Sequence, residues 1–441
     1  MAELTRRRVL LVTSSYAPTM IADMHRVRHL AWELPGIGWD VEVLAPGVQF
    51  QRREFIDQES APLFNPEVPV HEVSPGDSWW IKALKMRSIG WRALRPLRDE
   101  GNDLLASGRF DMVYISTANF NLFCLAHDWS RRHGTPCVLD YHDPWVRDRI
   151  DFRTTRHKVK LVAGAILSRF MEWRALNGSA GIVSVSQVYI DELRKRYGNL
   201  SCLSDDRCRV IPFAGSENDF LLLGQTSRQR GANIEISYVG AGGELMSKGF
   251  LNICRALREV GKNSPELLEH VKIRLYGTST DWREGEPKTL EEIARNQCGL
   301  GDLIQEDPRR ISYTEATRIA WRSDGLLVLG IDGPGYMPSK LFSYALSGHP
   351  LLASFRSDSP MSGVFEKLPG LGHPLVWDAA SGAAVGNHVD QMTQFLREVA
   401  QRTKFNRRDL VADYLAPAMA WRHAELFEKI RAEQRGMSRE G

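Results

Sequence analysis

Short apolar runs alternate with longer amphipathic segments along most of the chain. This alternation is typical of α/β proteins, in which buried parallel strands are joined by helices. In the first half the apolar runs predict strands at Val9–Thr13, Asp40–Leu44, Met112–Ser116, Cys137–Tyr141 and Gly181–Ser184. In the second half they predict strands at Ile234–Val239, Val271–Tyr276, Gly325–Leu329 and Pro350–Phe355. The pattern therefore predicts one kind of unit built twice.

Helical periodicity occupies the segments between these strands. The predicted helices are Met24–Glu33, Phe120–His133, Phe250–Val260, Thr289–Cys298, Thr314–Arg322 and Lys340–Ser347. The stretch 208–233 mixes Gly, Ser, Gln and Arg with little periodicity, so it is interpreted as the connection between two domains. We expect domains at 1–220 and 221–410, and a final helical segment at 411–441 that packs back on the first domain.

Composition agrees with two soluble α/β domains. The length of 441 residues suits two domains, and a hydrophobic content of 43% can fill two cores. A formal net charge of +3 is too small to argue for a nucleic-acid partner. The six cysteines form no CxxC pair, which favours a reducing cytoplasm over a disulfide framework or a metal site. Every apolar run is shorter than the ~18 residues of a membrane-spanning helix, so we expect none.

In doubly wound sheets, ligands bind at the carboxyl ends of the strands, where the strand order reverses. With two such domains facing each other, the cleft between them is the expected site. After the first strand, Ser15 and Tyr16 form a loop and Arg26 lies on the next helix, a seat for a phosphate or a polar acceptor. The residues equally allow Arg26 to belong to a solvated helix face.

His142 and Asp143 follow the predicted strand Cys137–Tyr141, directly before Pro144. A histidine changes charge near neutral pH and can donate to a developing oxyanion, and a carboxylate can orient it or accept a proton. This predicts a catalytic pair. The alternative is turn chemistry, with Asp143 capping the next helix and His142 packed under Trp145.

Two loops in the second half suit an anion. After Ile234–Val239 come Gly240, Gly242 and Gly243, and Lys248 stands at the start of the next helix. Glycines and a lysine at a helix start can cradle a diphosphate, although the spacing matches neither a Walker A loop nor G-x-G-x-x-G. The alternative is a flexible loop with a solvated lysine.

The second of these loops follows the predicted strand Gly325–Leu329. It contains Gly333 and Gly335, and then Pro338, Ser339 and Lys340 open a helix. Proline suits the first helical turn, serine can cap it, and the free N–H groups favour an anion. The alternative is an ordinary capped core helix whose lysine faces solvent. Two such helix starts in one domain argue for a phosphate site more strongly than either alone.

These motifs occur in a familiar order. The chain contains SSYAP after the first strand, then HDPW, IVSVS, VIPFAGSENDF, YVGAGGELMSKG and PSKLFSYALSGHPLLA. This order resembles that of GT-B fold glycosyltransferases, and it is most similar to the retaining group-4-type enzymes of bacterial polysaccharide and glycoconjugate synthesis. The resemblance covers nearly the whole chain. It implies an α/β fold of two Rossmann-like doubly wound domains that face each other across a cleft.

The resemblance also implies roles for single residues. Lys248 matches the lysine that grips the donor diphosphate, the backbone from Tyr336 to Ser339 matches the turn at the distal phosphate, and His142 matches a histidine near the transferred sugar. Such enzymes bind a nucleotide-sugar as substrate and need neither a separate cofactor nor a bound metal.

Three departures from the family pattern concern the donor site. The family often has an arginine where Gly242 and Gly243 stand here, and a Gly-Gly in the first loop where this chain has MIADM. Two family glutamates, which bind the donor sugar and the ribose, correspond to Gly335 and Ser343. Asp332 lies nearby and is a candidate to replace the first of them. Without a ribose carboxylate, a deoxyribose donor such as a dTDP-sugar becomes a hypothesis.

The segment 77–101 combines basic and aromatic residues, including Trp79, Trp80 and Trp91. This mixture is found in helices that lie at a membrane surface, and it equally suits a surface helix with buried tryptophans or a groove for an acidic glycan.

Together these features predict a cytoplasmic, metal-independent, hexosyl-type glycosyltransferase. Contact of 77–101 with lipid would make it a peripheral protein on the inner face of the membrane. Its acceptor would be a glycan, a lipid-linked molecule or a small molecule. The alternatives are a sugar-nucleotide epimerase of the same fold and a catalytically silent binding module.

Overall fold

The computed structural model describes residues 6–21, 23–76, 81, 88–146, 158–221, 223, 233–279 and 282–440. The chain divides into two units. The first comprises Met1–Pro212 together with Ala416–Gly441, and the second is Phe213–Leu415. The unit boundaries therefore lie at 212/213 and 415/416, whereas the sequence suggested 220/221 and 410/411.

In the described part of the first unit, seven parallel strands form one sheet in the order β3-β2-β1-β4-β5-β6-β7. The strands are β1 (Arg7–Val12), β2 (Trp39–Pro46), β3 (Val70–Val73), β4 (Met112–Ser116), β5 (Cys137–Tyr141), β6 (Gly181–Ser184) and β7 (Cys208–Val210). The helices are α1 (Met24–Glu33), α2 (Ile89–Ala106), α3 (Cys124–His133), α4 (Lys158–Asn177) and α5 (Gln187–Tyr197).

The second unit repeats this strand order. Among its described residues, seven strands are arranged as β10-β9-β8-β11-β12-β13-β14, and all are parallel except β14. The strands are β8 (Ile234–Val239), β9 (Val271–Tyr276), β10 (Ile304–Asp307), β11 (Gly325–Leu329), β12 (Leu351–Arg356), β13 (His373–Trp377) and β14 (Ala384–Val385). The helices are α6 (Asn218–Leu221), α7 (Ser247–Asn263), α8 (Thr289–Cys298), α9 (Tyr313–Arg322), α10 (Leu341–Leu346), α11 (Pro360–Lys367) and α12 (His388–Ala400).

The last helix, α13 (Ala416–Glu440), belongs to the first unit. Phe427 is fully buried, and its ring centroid lies 5.4 Å from that of Trp39 and 5.8 Å from that of Tyr114. Arg431 forms an ion pair of 2.8 Å with Asp111, which directly precedes β4. The C-terminal segment thus completes the core of the N-terminal unit.

The strand order reverses between β1 and β4 in the first unit and between β8 and β11 in the second. The central strands β4 and β11 are buried along their whole length, because helices cover both faces of such a sheet. The loops that follow β1, β4, β8 and β11 therefore lie at the two switch points, where ligands of doubly wound sheets bind.

Candidate functional site

The loop after β8 is held by main-chain hydrogen bonds to the end of the neighbouring strand. The Gly240 amide donates to Tyr276 at 2.9 Å, and the Gly242 amide donates to Thr278 at 2.9 Å. Gly240 has a φ of +142°, and a Cβ at this position would lie 2.8 Å from Lys340 Nζ. The backbone conformation therefore favours glycine at this position, whereas the ammonium is the end of a flexible side chain and could move away from a Cβ.

Lys248, in the first turn of α7, forms an ion pair with Asp332 in the loop after β11. The other carboxylate oxygen of Asp332 lies 3.1 Å from Arg356 at the end of β12. Arg356 also pairs with Asp358 at 2.7 Å. Burial alone would raise the Asp332 pKa, but Lys248 and Arg356 outweigh it and lower the pKa. The second unit thus holds one carboxylate between two cations at its switch point.

Lys340 directs its ammonium to the end of β8 and not to solvent. Its Nζ donates to the Val239 carbonyl at 2.6 Å, and the Tyr344 hydroxyl donates to the same oxygen at 3.1 Å. Desolvation, and secondly the charge of Arg310, lower the pKa of Lys340 to about 8. A lysine with this pKa responds to small changes of its surroundings at physiological pH.

The remaining predicted donor residues lie around the start of α10. Gly335 is buried, whereas Tyr336, Ser339 and Ser343 are half-buried. α10 has only six residues, so its dipole is a small contribution to anion binding. The positive charge near this edge therefore comes mainly from side chains. Gly243 lies in the short turn before α7, at the rim of the Lys248 loop.

A cavity of about 440 Å³ lies at the carboxyl ends of β9 and β10 in the same unit. Its lining includes Tyr276, Trp282, Asp307 and Arg309. Its volume is within the range of small-molecule sites. Its lining combines the indole of Trp282 with an ion pair, in which Arg309 lies 2.6 Å from Asp307. Sequence reasoning missed this cavity and Arg356, because both depend on strands that end side by side but are distant in sequence.

In the first unit, His142 pairs with Asp140 and not with Asp143. His142 Nε2 donates to Asp140 Oδ2, an oxygen that also accepts from the Ser116 hydroxyl at 2.9 Å. Arg26 Nε lies 2.9 Å from the same carboxylate oxygen, and both side chains of this ion pair are fully buried. Burial would raise the Asp140 pKa, but Arg26 and His142 hold it well below its ordinary value. Asp143 is exposed on the following turn.

A second histidine extends this buried network. The Tyr114 hydroxyl lies 3.0 Å from His423 Nε2, and His423 Nδ1 lies 2.7 Å from the Met419 carbonyl. A carbonyl can only accept, so Nδ1 carries the proton and Nε2 accepts from Tyr114. Desolvation and the charge of Arg26 lower the pKa of His423 to about 3, which keeps this ring neutral.

The predicted acceptor residues are also buried. Ser15 and Arg26 have no exposed surface, and Tyr16 packs edge-on against Phe64 with centroids 5.1 Å apart. Asp23 joins the loops after β1 and β4, since its carboxylate accepts from the Ala118 amide at 2.9 Å. In this conformation Arg26 does not face solvent as a solvated helix residue would. Its guanidinium forms an ion pair with Asp140. Direct contact of Arg26 with an acceptor would require the loop after β1 to move.

Three further predictions concern the segment 77–101, a bound metal and a membrane-spanning helix. Of the segment 77–101, for which membrane contact is predicted, residues 77–80 and 82–87 lie outside the described residues, and these include Trp79 and Trp80. Ile81 and residues 88–101 are described, and Trp91 among them is half-buried. Within the described residues, no group of three or more His, Cys, Asp or Glu side chains is arranged to hold a metal ion. In that same part of the chain, no helix combines the length and apolar character needed to cross a bilayer.

Comparison with known proteins identifies this architecture. The family model "Glycosyltransferase Family 4" matches residues 25–213. HepE from Anabaena, solved with UDP and glucose, superimposes with a TM-score of 0.58 at 13% identity and covers 96% of this chain and 99% of its own. A glycosyltransferase from Rickettsia africae ESF-5 gives a TM-score of 0.56 at 11% identity and covers 96% and 98%.

A UDP-forming α,α-trehalose-phosphate synthase from Burkholderia xenovorans gives a TM-score of 0.56 at 12% identity and covers 96% of this chain and 99% of its own. No curated protein sequence matches the chain significantly. At these identities the structural likeness shows the fold, which is the GT-B fold of glycosyltransferases, as the sequence motifs predicted. The match of residues 25–213 to a glycosyltransferase family model supports a glycosyltransferase function.

Proposed function

We propose that the chain is a metal-independent glycosyltransferase that moves a hexosyl group from a nucleotide-sugar to a glycan, lipid-linked or small-molecule acceptor in polysaccharide or glycoconjugate synthesis. One observation carries the proposal. Asp332 lies between Lys248 and Arg356, at the carboxyl edge of the sheet where the strand order reverses. Two cations that hold one carboxylate are arranged to hold the more highly charged diphosphate of a donor.

In this proposal Asp332 occupies the anion position until a donor binds. The diphosphate takes over Lys248 and Arg356, and repulsion turns the Asp332 carboxylate away from it. A carboxylate released beside the diphosphate can accept hydrogen bonds from the hydroxyls of the donor sugar. Asp332 would then replace the family glutamate for which Gly335 stands in this chain. Arg356 would supply the arginine charge that is missing at Gly242 and Gly243.

The nucleoside would occupy the cavity at the ends of β9 and β10, with its base against Trp282. Ser343 offers a hydroxyl where a carboxylate would bind the ribose. A hydroxyl accepts fewer and weaker hydrogen bonds than a carboxylate, so replacing the carboxylate weakens binding of the ribose hydroxyls. A deoxyribose has one hydroxyl fewer, so its binding is weakened less. This supports including dTDP-sugars among the donors to test.

The first unit would bind the acceptor and supply His142 at the reaction centre. Asp140, Ser116 and Arg26 fix the ring of His142, which makes them positioning residues. In a retaining transfer the acceptor oxygen bonds to the anomeric carbon on the face that the leaving group occupied. The bond from that carbon to the diphosphate oxygen breaks, and the acceptor proton passes to the diphosphate. Lys248 and Arg356 stabilise the negative charge that develops there.

Calorimetric titration with UDP-, GDP-, dTDP- and CMP-sugars tests the donor site. We expect one nucleotide class to bind, and we expect Lys248→Ala to weaken binding at least tenfold. Lys262→Ala is the matched control, because Lys262 lies on the same helix and is exposed in the last turn. If none of the four classes binds, the proposal fails and the silent binding module is favoured. Isomerisation of the bound donor in the absence of any acceptor would instead identify an epimerase.

A further inference from the structure

Helix α4 exposes an unusual amount of apolar surface. Of the eleven large hydrophobic side chains that are exposed among the described residues, five lie on this one helix: Val162, Ile166, Leu167, Phe170 and Trp173. Single exposed apolar residues are normal, but a contiguous patch on a monomer marks a surface that another body covers.

The exposed residues form a continuous stripe. Val162, Ile166, Phe170 and Trp173 recur every three or four residues, the spacing that places side chains on one face of a helix. The stripe is about 17 Å long at the rise of an α-helix. Phe170 and Trp173 contact each other, with ring centroids 6.2 Å apart. We call these four residues the apolar stripe.

The opposite face of α4 is already used for packing. Glu172, Ala175 and Leu176 are buried against the first unit. This buried face is mixed, since Glu172 lies 3.4 Å from Arg196 beside the apolar Ala175 and Leu176. α4 is therefore packed on one face, and the exposed apolar stripe has no complement in the described part of the chain.

An arginine-lined cavity adjoins the end of the apolar stripe. It has a volume of about 640 Å³ and lies among α2, α3 and α4. We call it the arginine cavity; its lining is Arg98, Asp99, Asn102, His127, Asp128, Arg131, Arg132 and Arg174. Arg174 stands one helical turn after Phe170, so the positive cavity begins where the apolar stripe ends.

The charges of the arginine cavity are not balanced. Arg174 pairs with Asp128 at 2.7 Å and Arg98 pairs with Asp99 at 3.5 Å. Within the described residues, Arg131 and Arg132 form no ion pair, and both are exposed. Four arginines against two aspartates leave an excess of two positive charges, which suits an anionic group of phosphate chemistry.

We propose that the apolar stripe and the arginine cavity bind the surface of a bilayer that contains anionic phospholipids. The stripe enters the headgroup region, and the cavity receives the phosphate of a headgroup. An apolar helix face beside a basic cluster is the arrangement by which a helix lies in a membrane interface without crossing it. The inference goes beyond the proposed function, because it concerns a face of the first unit and not the donor site.

Vesicle co-sedimentation of the full chain tests the proposal. We expect binding to vesicles of phosphatidylcholine mixed with phosphatidylglycerol, and much weaker binding to phosphatidylcholine alone. The double variant Ile166→Gln, Phe170→Gln should lose more than tenfold in affinity, because each apolar side chain contributes a large part of its transfer free energy on insertion. Trp421→Gln, an exposed apolar residue on another helix, is the matched control and should bind as the wild type does.

The double variant Arg131→Gln, Arg132→Gln tests the cavity. A basic residue near an anionic surface is worth about fivefold in affinity, so the pair should cost roughly 30-fold on mixed vesicles and little on phosphatidylcholine alone. Arg53→Gln, Arg322→Gln removes two exposed arginines elsewhere and should have little effect. An equal loss in both arginine variants would overturn the cavity assignment, since net charge alone would then explain binding.

A gain of signal guards against variants that fail to fold. Ile166→Cys carrying a polarity-sensitive fluorophore should shift to shorter wavelength when mixed vesicles are added, and the same label at Trp421→Cys should not. Absence of vesicle binding by the wild type overturns the proposal. A dimer in light scattering that Ile166→Gln, Phe170→Gln abolishes would also overturn it, because a second copy of the chain would then cover the stripe. Binding of inorganic phosphate without vesicle binding would limit the cavity to a free anion and overturn the membrane assignment.

Discussion

Asp332 is the residue whose replacement separates the two parts of the donor proposal. Asp332→Asn removes the carboxylate that pairs with Lys248 and Arg356 before the donor binds, which we call the internal anion. The diphosphate then no longer has to displace a carboxylate from these two cations. Half-exposed ion pairs are worth up to about 1 kcal/mol, so a nucleoside diphosphate without sugar should bind about two- to fivefold more tightly. The rate of sugar transfer should fall, because the carboxylate is no longer available to the sugar hydroxyls. Calorimetry with the diphosphate and a transfer assay measure the two effects.

The control for this variant is Asp358→Asn, which removes the other carboxylate beside Arg356 but leaves the Lys248 pair intact. It should leave the transfer rate close to that of the wild type. Weaker binding of the nucleoside diphosphate by Asp332→Asn would contradict the role of Asp332 as an internal anion.

Lys340 predicts how donor affinity depends on pH. Its pKa is lowered to about 8 by desolvation and by Arg310, and a bound diphosphate favours the charged form and raises the pKa again. Donor binding therefore takes up a proton above about pH 8, and the dissociation constant should rise with pH by up to about tenfold per unit there. Titrations at about pH 7 and about pH 9 measure this. Lys340→Arg keeps its charge at both pH values and should remove the dependence.

The lowered pKa of Lys340 also determines how the stability of the folded chain changes with pH. The unfolded chain binds more protons than the folded chain between pH 8 and the ordinary lysine pKa, so this group makes the folded state more stable as the pH rises through that window.

For donor binding, a dissociation constant that does not change from about pH 7 to about pH 9 in the wild type would contradict the placement of Lys340 near the donor phosphates.

At the scale of the element, the alternation of a β-strand explains why His142 hydrogen-bonds Asp140, whereas the sequence pointed to the adjacent Asp143. Successive side chains of a strand point to opposite faces, so Asp140 and His142 share a face at the end of β5 and Asp143 begins the next turn. The motif HDPW draws attention to the adjacent acid. Strand geometry instead identifies the residue two positions earlier, a signal that was present in the sequence.

Six strands could be predicted to the residue, because their apolar residues either form a continuous run, as in GLLVL of β11, or alternate with polar residues, as in VKIRLY of β9. β4, β5, β6, β8, β9 and β11 agree residue for residue with the predicted segments. The missed strands β3, β7, β10, β13 and β14 lie at sheet edges or next to them, where one side is exposed and polar residues are tolerated. β7 begins at Cys208, inside the stretch 208–233 that the sequence indicated as the connection between domains. β10 reads IQED, and its Glu306 carboxylate accepts from the Leu290 and Glu291 amides at the start of α8. Such a contact depends on tertiary structure and leaves no periodic pattern.

Gly249 fixes how α7 sits on the sheet. A Cβ at Gly249 would lie 2.9 Å from the Gly330 carbonyl and 3.3 Å from the Ser354 carbonyl, both backbone atoms that cannot rotate away. Gly249→Ala should therefore destabilise the second unit by about 1–3 kcal/mol despite the better helix propensity of alanine. Urea unfolding measures this change.

Gly261→Ala on the same helix is the matched control. A Cβ at Gly261 would meet only the flexible end of Leu268 at 3.1 Å, so the gain in helix propensity of up to about 1 kcal/mol should dominate. If the two alanine variants are equally stable, the close approach of α7 to β11 and β12 is not a constraint on the fold.

At the scale of the whole molecule, one strand order carries two different chemistries. In the first unit the switch point holds a buried network, in which Arg26 and His142 both contact one carboxylate oxygen of Asp140. In the second unit the corresponding loops present Lys248 and Asp332 with more than a third of each side chain exposed. The order of strands therefore fixes where a site forms, and the residues at the strand ends decide whether it is a rigid support or a place for an exchangeable anion.

The whole chain also sets the stability of the first unit, because α13 is its last element. Phe427→Ala removes a fully buried ring from contact with Trp39 and Tyr114 and should cost about 3–5 kcal/mol. Hydrogen exchange should then accelerate in β1 and β4 and stay unchanged in β8 and β11. Trp421→Ala on the same helix is exposed and should change stability by less than about 0.5 kcal/mol. Equal acceleration in the strands of both units would mean that they unfold as one body, and α13 would then stabilise the molecule as a whole and not the first unit alone.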